Sequence, residues 1–345
     1  MTNRQRFHAV LHYKPYDRLP VVHFGFWHEL LEKWVAEGHL KPDEIIGSYD
    51  SSEKEKVITK KLGFDFNYNT LYSEISGLFP AFESKTVAVY PDGSYDYLNH
   101  EGVIIRQKKG IVSIPMEIGH LLKDRESWET HFLPRLQFTK QRFDDNRIMK
   151  LANESQEREC ILGVYAKSLF GIIRNWLGLE GISYLLYDDE ELYDEIIYTV
   201  AELAYKSLEY ILSFNIEFDF ANFWEDICYK NGPLVSPSIF YKKVGPYYKK
   251  ITDLLKRHNI SIISLDCDGC IDSLIPTWFE NGINTMFPIE VGTWNASLTP
   301  WREIYGRELR GVGGMNKHVF SMNKQAIDKE IERLKPIISL GGFIP

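Results

Sequence analysis

The sequence predicts a parallel α/β fold, a (β/α)8 barrel of the TIM type, built as one domain over residues 1–345. Three observations predict it. Through the second half of the chain, apolar runs that end in polar residues alternate with amphipathic helix-like segments at the spacing of βαβ units. Near the start, LPVVHFGFW (19–27) is a run of the same kind. Four successive units, a final strand and this early strand suit a closed barrel better than an open sheet.

In order, a helix is expected at 3–12, then the strand at 19–27. Between 82 and 118 the pattern changes, and VAVYPDGSYDYLNHEGVIIRQKKG alternates polar and apolar residues about a Pro-Asp-Gly turn. This reads as a β-hairpin or small meander inserted between barrel units. CILGVYA (160–166) is the next strand, followed by helical material from Phe170 to Ser213. IEFDFANFWED (216–226) leads into a helix from Ser238 to His258. ISIISLDCDG (260–269) precedes IDSLIPTWFENG, INTMFPIEV (283–291) precedes LTPWREIYG, and LRGVGGMNK (309–317) precedes the amphipathic stretch from Lys324 to Leu334. Ser236-Pro237 and Thr299-Pro300 each supply a capping hydroxyl and a proline preset for a first helical turn. IISLGGFIP ends the sequence as a last strand. Phe24, Ile263, Met286 and Val312 are expected on inner strands. A complete barrel needs a further loop and helix after that strand, or the helix at 3–12 to cover the gap.

The 40 basic and 48 acidic residues give a formal charge of −8, which argues against nucleic acid as a partner. At 44% hydrophobic and 26% charged, the composition is that of a folded globular chain. No apolar run approaches the roughly 20 residues of a membrane helix, and MTNRQRFHAV lacks a signal-peptide core, so a cytoplasmic location is expected. Four cysteines, Cys160, Cys228, Cys267 and Cys270, do not form a disulfide framework.

Barrel sites sit at the C-terminal ends of the strands. The strands place Glu225 and Asp226, Asp266 and Asp268, Glu290, and Asn316 with Lys317 at those ends. Acids converging there need a cation, a proton or a positive group among them. Asp266 and Asp268 are two apart and share a strand face. Asp266, Asp268, Glu290 and Glu225 are therefore the candidate catalytic residues, with Asp266, Asp268 and Glu290 as candidate ligands of a divalent metal. His23, Trp27, Tyr229, Lys230 and Lys317 are candidate substrate-binding residues, although the parity of His23 on its strand favours a satisfied core histidine over a residue lining the barrel. Cys267 lies between the two aspartates and should point away from the axis, so Cys267-x-x-Cys270 reads as structural.

NRQRFHAVLHYKPYDRLPVV, FWEDICYKNGPLVSP, LDCDGCIDSLIPTWFENGIN, FPIEVG, YGRELRGVGGMNK and LGGFIP together resemble the uroporphyrinogen decarboxylase superfamily, which also contains cobalamin-dependent methyltransferases. The resemblance implies a (β/α)8 barrel with its site at the C-terminal mouth. Decarboxylases carry an arginine-rich loop after the first strand; the matching HFGFWHELLEK (23–33) has no arginine. LYSEI (71–75) faintly resembles the decarboxylase F-S-D-I, which would put Glu74 at the pyrrole-binding acid. The methyltransferase branch usually has a zinc-ligating H-x-C-G where this chain has Asp266-Cys267-Asp268-Gly269, so zinc activation of a thiol is in question and a hard oxygen site replaces it. The resemblance is closer to the methyltransferase branch. It implies transfer of a methyl group from a small O- or N-methylated donor to a corrinoid on a partner protein. The alternatives are a porphyrinogen decarboxylase gripping its substrate with Arg4, Arg6, Arg18 and Lys230, and a non-catalytic barrel that binds a partner.

Overall fold

The computed structural model describes residues 1–75, 77–108 and 115–345. Strands β1 (Val22–His23), β2 (Phe66–Asn67) and β3 (Leu71–Tyr72) come first. The inserted strands are β4 (Lys85–Val89), β5 (Ser94–Leu98), β6 (Val103–Lys108) and β7 (Met116–His120). The chain continues with β8 (Gly163–Lys167), β9 (Phe220–Trp224), a short hairpin of β10 (Cys228–Tyr229) and β11 (Gly232–Pro233), β12 (Ile263–Asp266), β13 (Thr285–Ile289), β14 (Arg310–Gly313) and β15 (Phe343–Ile344). Seven strands form one parallel sheet in the order β15-β14-β13-β12-β9-β8-β3, and β1 pairs in parallel with β2. The α/β class and the parallel strands are as the sequence predicts.

The sheet curls strongly. From β3 to β13 the strand order counts four steps, about 19 Å if flat. Yet Tyr68, between β2 and β3, packs its ring 4.7 Å from that of Phe287 on β13. Phe7, Val10 and Leu11 of the first helix (Asn3–Leu11) join Phe66, Phe220, Val312 and Ile344 in one apolar cluster, so residues from both ends of the sheet share a core. Among the described residues no strand pairing joins β15 to β1.

The insertion is a four-stranded antiparallel meander that reaches His120, two residues beyond the expected end; residues 109–114 of the expected insertion lie outside the described residues. Two helical expectations are divided. The stretch from Phe170 to Ser213 forms helices at Gly171–Asp188 and Glu190–Leu212, separated by Asp189, which caps the second. Ser238 to His258 forms Pro237–Lys243 and Gly245–Arg257, because Pro246 has no N–H for the first helix to continue through. Ile263, Met286 and Val312 lie in the parallel sheet and are fully buried. Phe24 does not: β1 ends at His23, and Phe24 is 39% exposed with its ring edge on Phe287. No helix among the described residues is long and apolar enough to cross a membrane.

Just before β9, the Asp219 carboxylate anchors the N-terminal side of the sheet. It accepts from Arg4 at 2.7 Å, Arg158 at 2.6 Å and the Leu162 N–H at 2.8 Å, with the His8 ring at 2.8 Å. Burial works to raise this carboxyl; His8, Arg158 and Arg4 overcome it and hold it at about 2. A depressed carboxyl contributes stability that is present above the unfolded value and lost as pH falls through the folded one. Acid unfolding should therefore show an Asp219 contribution of about 2 kcal/mol that disappears between about pH 4 and pH 2. Asp219→Ala should cost about 3–5 kcal/mol in urea denaturation, because it takes the carboxylate from the buried Arg158 guanidinium and the acceptor from the Leu162 N–H. A loss under 1 kcal/mol would refute the anchor.

Candidate functional site

Alternation along β9 and β12 builds the site. Phe220 and Ile262 lie in the inner cluster, whereas Ala221, Phe223, Ile263, Leu265 and Cys267 lie in the outer core against the helices. Counting by twos from Phe220 puts Asn222, Trp224 and Asp226 inward; from Ile262, it puts Ser264, Asp266 and Asp268 inward. Both columns run from apolar at the N-terminal end to acidic at the C-terminal end, and Ser264 donates to Asn222 across them.

Asp226, Asp266 and Asp268 each offer a carboxylate oxygen, and these oxygens lie within 4.8 Å of one another. Asp226, at a φ of +48°, also accepts from the Asp268 N–H at 2.9 Å. Burial, then the charges of Asp226 and Asp268, pushes the Asp266 carboxyl well above its usual range. Partial burial, then Asp226 and Glu290, pushes Asp268 up to about 6, against the opposing charge of Lys317. Glu290 stands beside this group rather than in it: its carboxylate accepts from the Gly269 N–H at 2.9 Å and from the Thr293 hydroxyl. The three-acid group is thus Asp226, Asp266 and Asp268, where the sequence suggested Glu290 as third ligand. Gly269 has a φ of +87°, and a Cβ there would fall 2.5 Å from the Cys228 carbonyl oxygen, so glycine is required.

Glu225 has the opposite parity and turns away from the three acids. It is 0% exposed and accepts from the N–H groups of Leu169 at 2.8 Å and Phe170 at 2.9 Å, from the Gly171 N–H, and from the Ser168 and Tyr248 hydroxyls. Burial raises its carboxyl, with these donors opposing. Its place is structural: it fixes the turn out of β8. A Cβ on Gly171 would lie 1.9 Å from the Glu225 carbonyl, so the two segments meet only at a glycine.

The other candidates scatter. His23 is buried, with Nδ1 accepting from the Gly25 N–H at 3.1 Å and Nε2 against Thr59 at 2.8 Å and Glu55 at 3.1 Å, so both ring nitrogens serve the protein. Trp27, 64% exposed, precedes the helix His28–Ala36. Tyr229 and Lys230 sit on the exposed β10–β11 hairpin, whose Tyr229 carbonyl accepts from the Cys270 N–H at 2.8 Å. Cys267 is buried on the outer face beside Cys228, and burial holds its thiol well above its ordinary value. The decarboxylase alternative needs Arg4, Arg6 and Arg18 at the mouth. Instead they pair with Asp219 and Glu217, Asp17, and Asp65, on the N-terminal side. A cavity of about 610 Å³ also lies away from the acids, between helices Glu53–Lys61 and Asp145–Ser155.

Sequence reasoning passed over Tyr165. On β8 it has inward parity, and burial, then the charges of Glu225, Asp266 and Glu101, raises its hydroxyl. Glu101 comes from the turn between β5 and β6, so the meander lies within electrostatic reach of Tyr165. Within CILGVYA, the parity opposite to Val164 and Ala166 would have found Tyr165.

No protein-family model matches the chain, and no curated protein matches its sequence. Among solved structures, it is similar to a methyltransferase from Methanosarcina mazei: 14% identity, a TM-score of 0.56, and coverage of 91% of this chain and 82% of that one. At that identity the likeness is one of fold.

Glu225→Ala should leave three buried N–H groups without an acceptor and cost at least about 3 kcal/mol, read by chemical denaturation. Tyr248→Phe, removing one donor, should cost about 1 kcal/mol. Equal losses would show that Glu225 does not hold the turn.

Proposed function

We propose that the chain is a methyl-group transferase that demethylates a small O- or N-methylated molecule and passes the methyl group to a corrinoid carried by a partner protein, in the cytoplasm. The curled sheet is then the wall of an eight-stranded barrel with the acids at its mouth. The observation that carries the reading is the convergence of Asp226, Asp266 and Asp268 at the strand ends, with Asp268 titrating near 6. The fold likeness to a methyltransferase supports it.

A methyl donor leaves as an alkoxide, phenolate or amine, and its heteroatom gains negative charge as the methyl departs. A carboxyl that retains its proton near neutrality can protonate that atom. Asp266 and Asp268 fill this role, Asp226 keeps their protons in place by its charge, and Glu290 orients the Gly269 turn below them. Lys317 offsets the crowding at Asp268. When deprotonated, the three carboxylates are hard oxygen donors and in place of the protons would suit a divalent cation of the magnesium or manganese type, with Asp226, Asp266 and Asp268 as its ligands. They do not fit a thiolate zinc centre, since Cys267 faces the outer core. Such a cation would act as a Lewis acid on the leaving heteroatom. The decarboxylase alternative draws no support from the arginines, which are engaged elsewhere.

Methyl transfer from a panel of aryl methyl ethers and methylated amines to reduced free corrinoid, followed by absorbance, tests the reading. Asp266→Asn and Asp268→Asn should each lower the rate on the order of 10²-fold while the protein stays folded. Activity indifferent to both substitutions would sink the mechanism. Manganese binding, followed by calorimetry, should strengthen as pH rises through about 6, where Asp268 loses its proton. Binding that ignores pH, or survives Asp226→Asn with Asp268→Asn, would exclude the three-acid ligand set.

A further inference from the structure

Lys167 ends β8 in an unusual state. Its φ is +77°, in the region that favours glycine, and the β8–β9 register shifts between Tyr165 and Lys167. The residue is 4% exposed, and among the described residues its Nζ has no hydrogen-bond partner. The surrounding groups are engaged. Arg142 gives its guanidinium to the carbonyls of Gln137, Ile75, Gly77 and Arg135. Glu74 accepts from the Tyr72 hydroxyl and stands 3.6 Å from Arg147. Nζ lies 5.4 Å from the centre of the Tyr165 ring.

We propose that Lys167 is a nucleophilic amine that binds small aldehydes or ketones as a Schiff base, a second reactive centre on the C-terminal side of the sheet. This is independent of the methyl-transfer reading. In the step, the Nζ lone pair attacks the carbonyl carbon and the C–N bond forms as the C=O π pair moves to oxygen. Nitrogen gives up its protons, the oxygen leaves as water, and an imine remains. Two features suit the residue to this. Burial lowers the amine to about 7, with Glu74 favouring and Arg142 opposing the charged form. At neutral pH it therefore has about 10³-fold more neutral amine than an ordinary lysine. The Tyr165 ring and the Glu74 carboxylate, which attract the ammonium, would equally hold a protonated imine.

The probe is glycolaldehyde with cyanoborohydride on the full chain, read by peptide mass mapping from pH 5.5 to 9. The reduced adduct should form on Lys167 ahead of exposed lysines such as Lys230, with a midpoint near pH 7. Glu74→Gln should move that midpoint downward, since Glu74 favours the protonated amine. Lys167→Met should abolish the adduct and raise the melting temperature, because a methionine has no buried amine to desolvate. The proposal fails if Lys167 stays unmodified while exposed lysines react, or if its midpoint lies near 10. It also fails if Lys167→Met lowers the melting temperature, which would make the lysine structural.

Discussion

Glu225 fixes the relation between two neighbouring strand exits, and the acid site is built on that relation. Its carboxylate gathers the N–H groups of Leu169, Phe170 and Gly171 at the start of a helix while its own N–H donates to the Asp266 carbonyl. An anion at a helix N-terminus is favoured by the unpaired N–H groups and the helix dipole. The next residue, Asp226, enters the left-handed region and turns its carboxylate toward the Asp268 N–H. Without the Glu225 clamp, neither the β8 exit nor the turn that aims Asp226 has a fixed place.

The two ends of the sheet divide the charge. On the N-terminal side, Asp219, Asp65 and Asp17 meet arginines within salt-bridge distance, so acid and base satisfy one another. On the C-terminal side, Asp226, Asp266 and Asp268 face each other, and Lys317 is the cation that acts on Asp268. Crowded carboxylates raise one another's proton affinity, and burial of Asp266 adds to it. Carboxylates crowded on one side of a fold that pairs them with arginines on the other are the electrostatic basis of the proposed site. Lys167, at the same end of its strand, is likewise without a hydrogen-bond partner among the described residues.

The meander adds to the charge on this side. Its β5–β6 turn brings Glu101 within electrostatic reach of Tyr165, so it adds negative charge rather than relieving it. A neutral or cationic molecule enters such a space at lower cost than a polyanion, because each carboxylate brought against another is opposed more strongly as water is excluded.

The parallel strands of the second half and the C-terminal placement of the acids were legible in the sequence, because burial on both faces writes apolar runs and helices write a 3.6-residue period; β2 and β3, two residues each, are too short to leave such a mark. The pairing of Asp266 with Asp268 and the outward turn of Cys267 followed from a period of two. The same period, applied from Phe220, would have sent Glu225 outward and Asp226 inward; it was hidden because both acids stand at a strand end, where one residue of register reverses every side chain. The break at Pro246 was also present in the letters. Only tertiary structure decided the rest. The commitment of Arg4, Arg6 and Arg18 to acids far along the chain, the satisfaction of His23, and the isolation of Lys167 depend on which groups come within a few ångströms. Periodicity fixes the face on which a side chain lies; it carries no information about the distant partner that will meet it there.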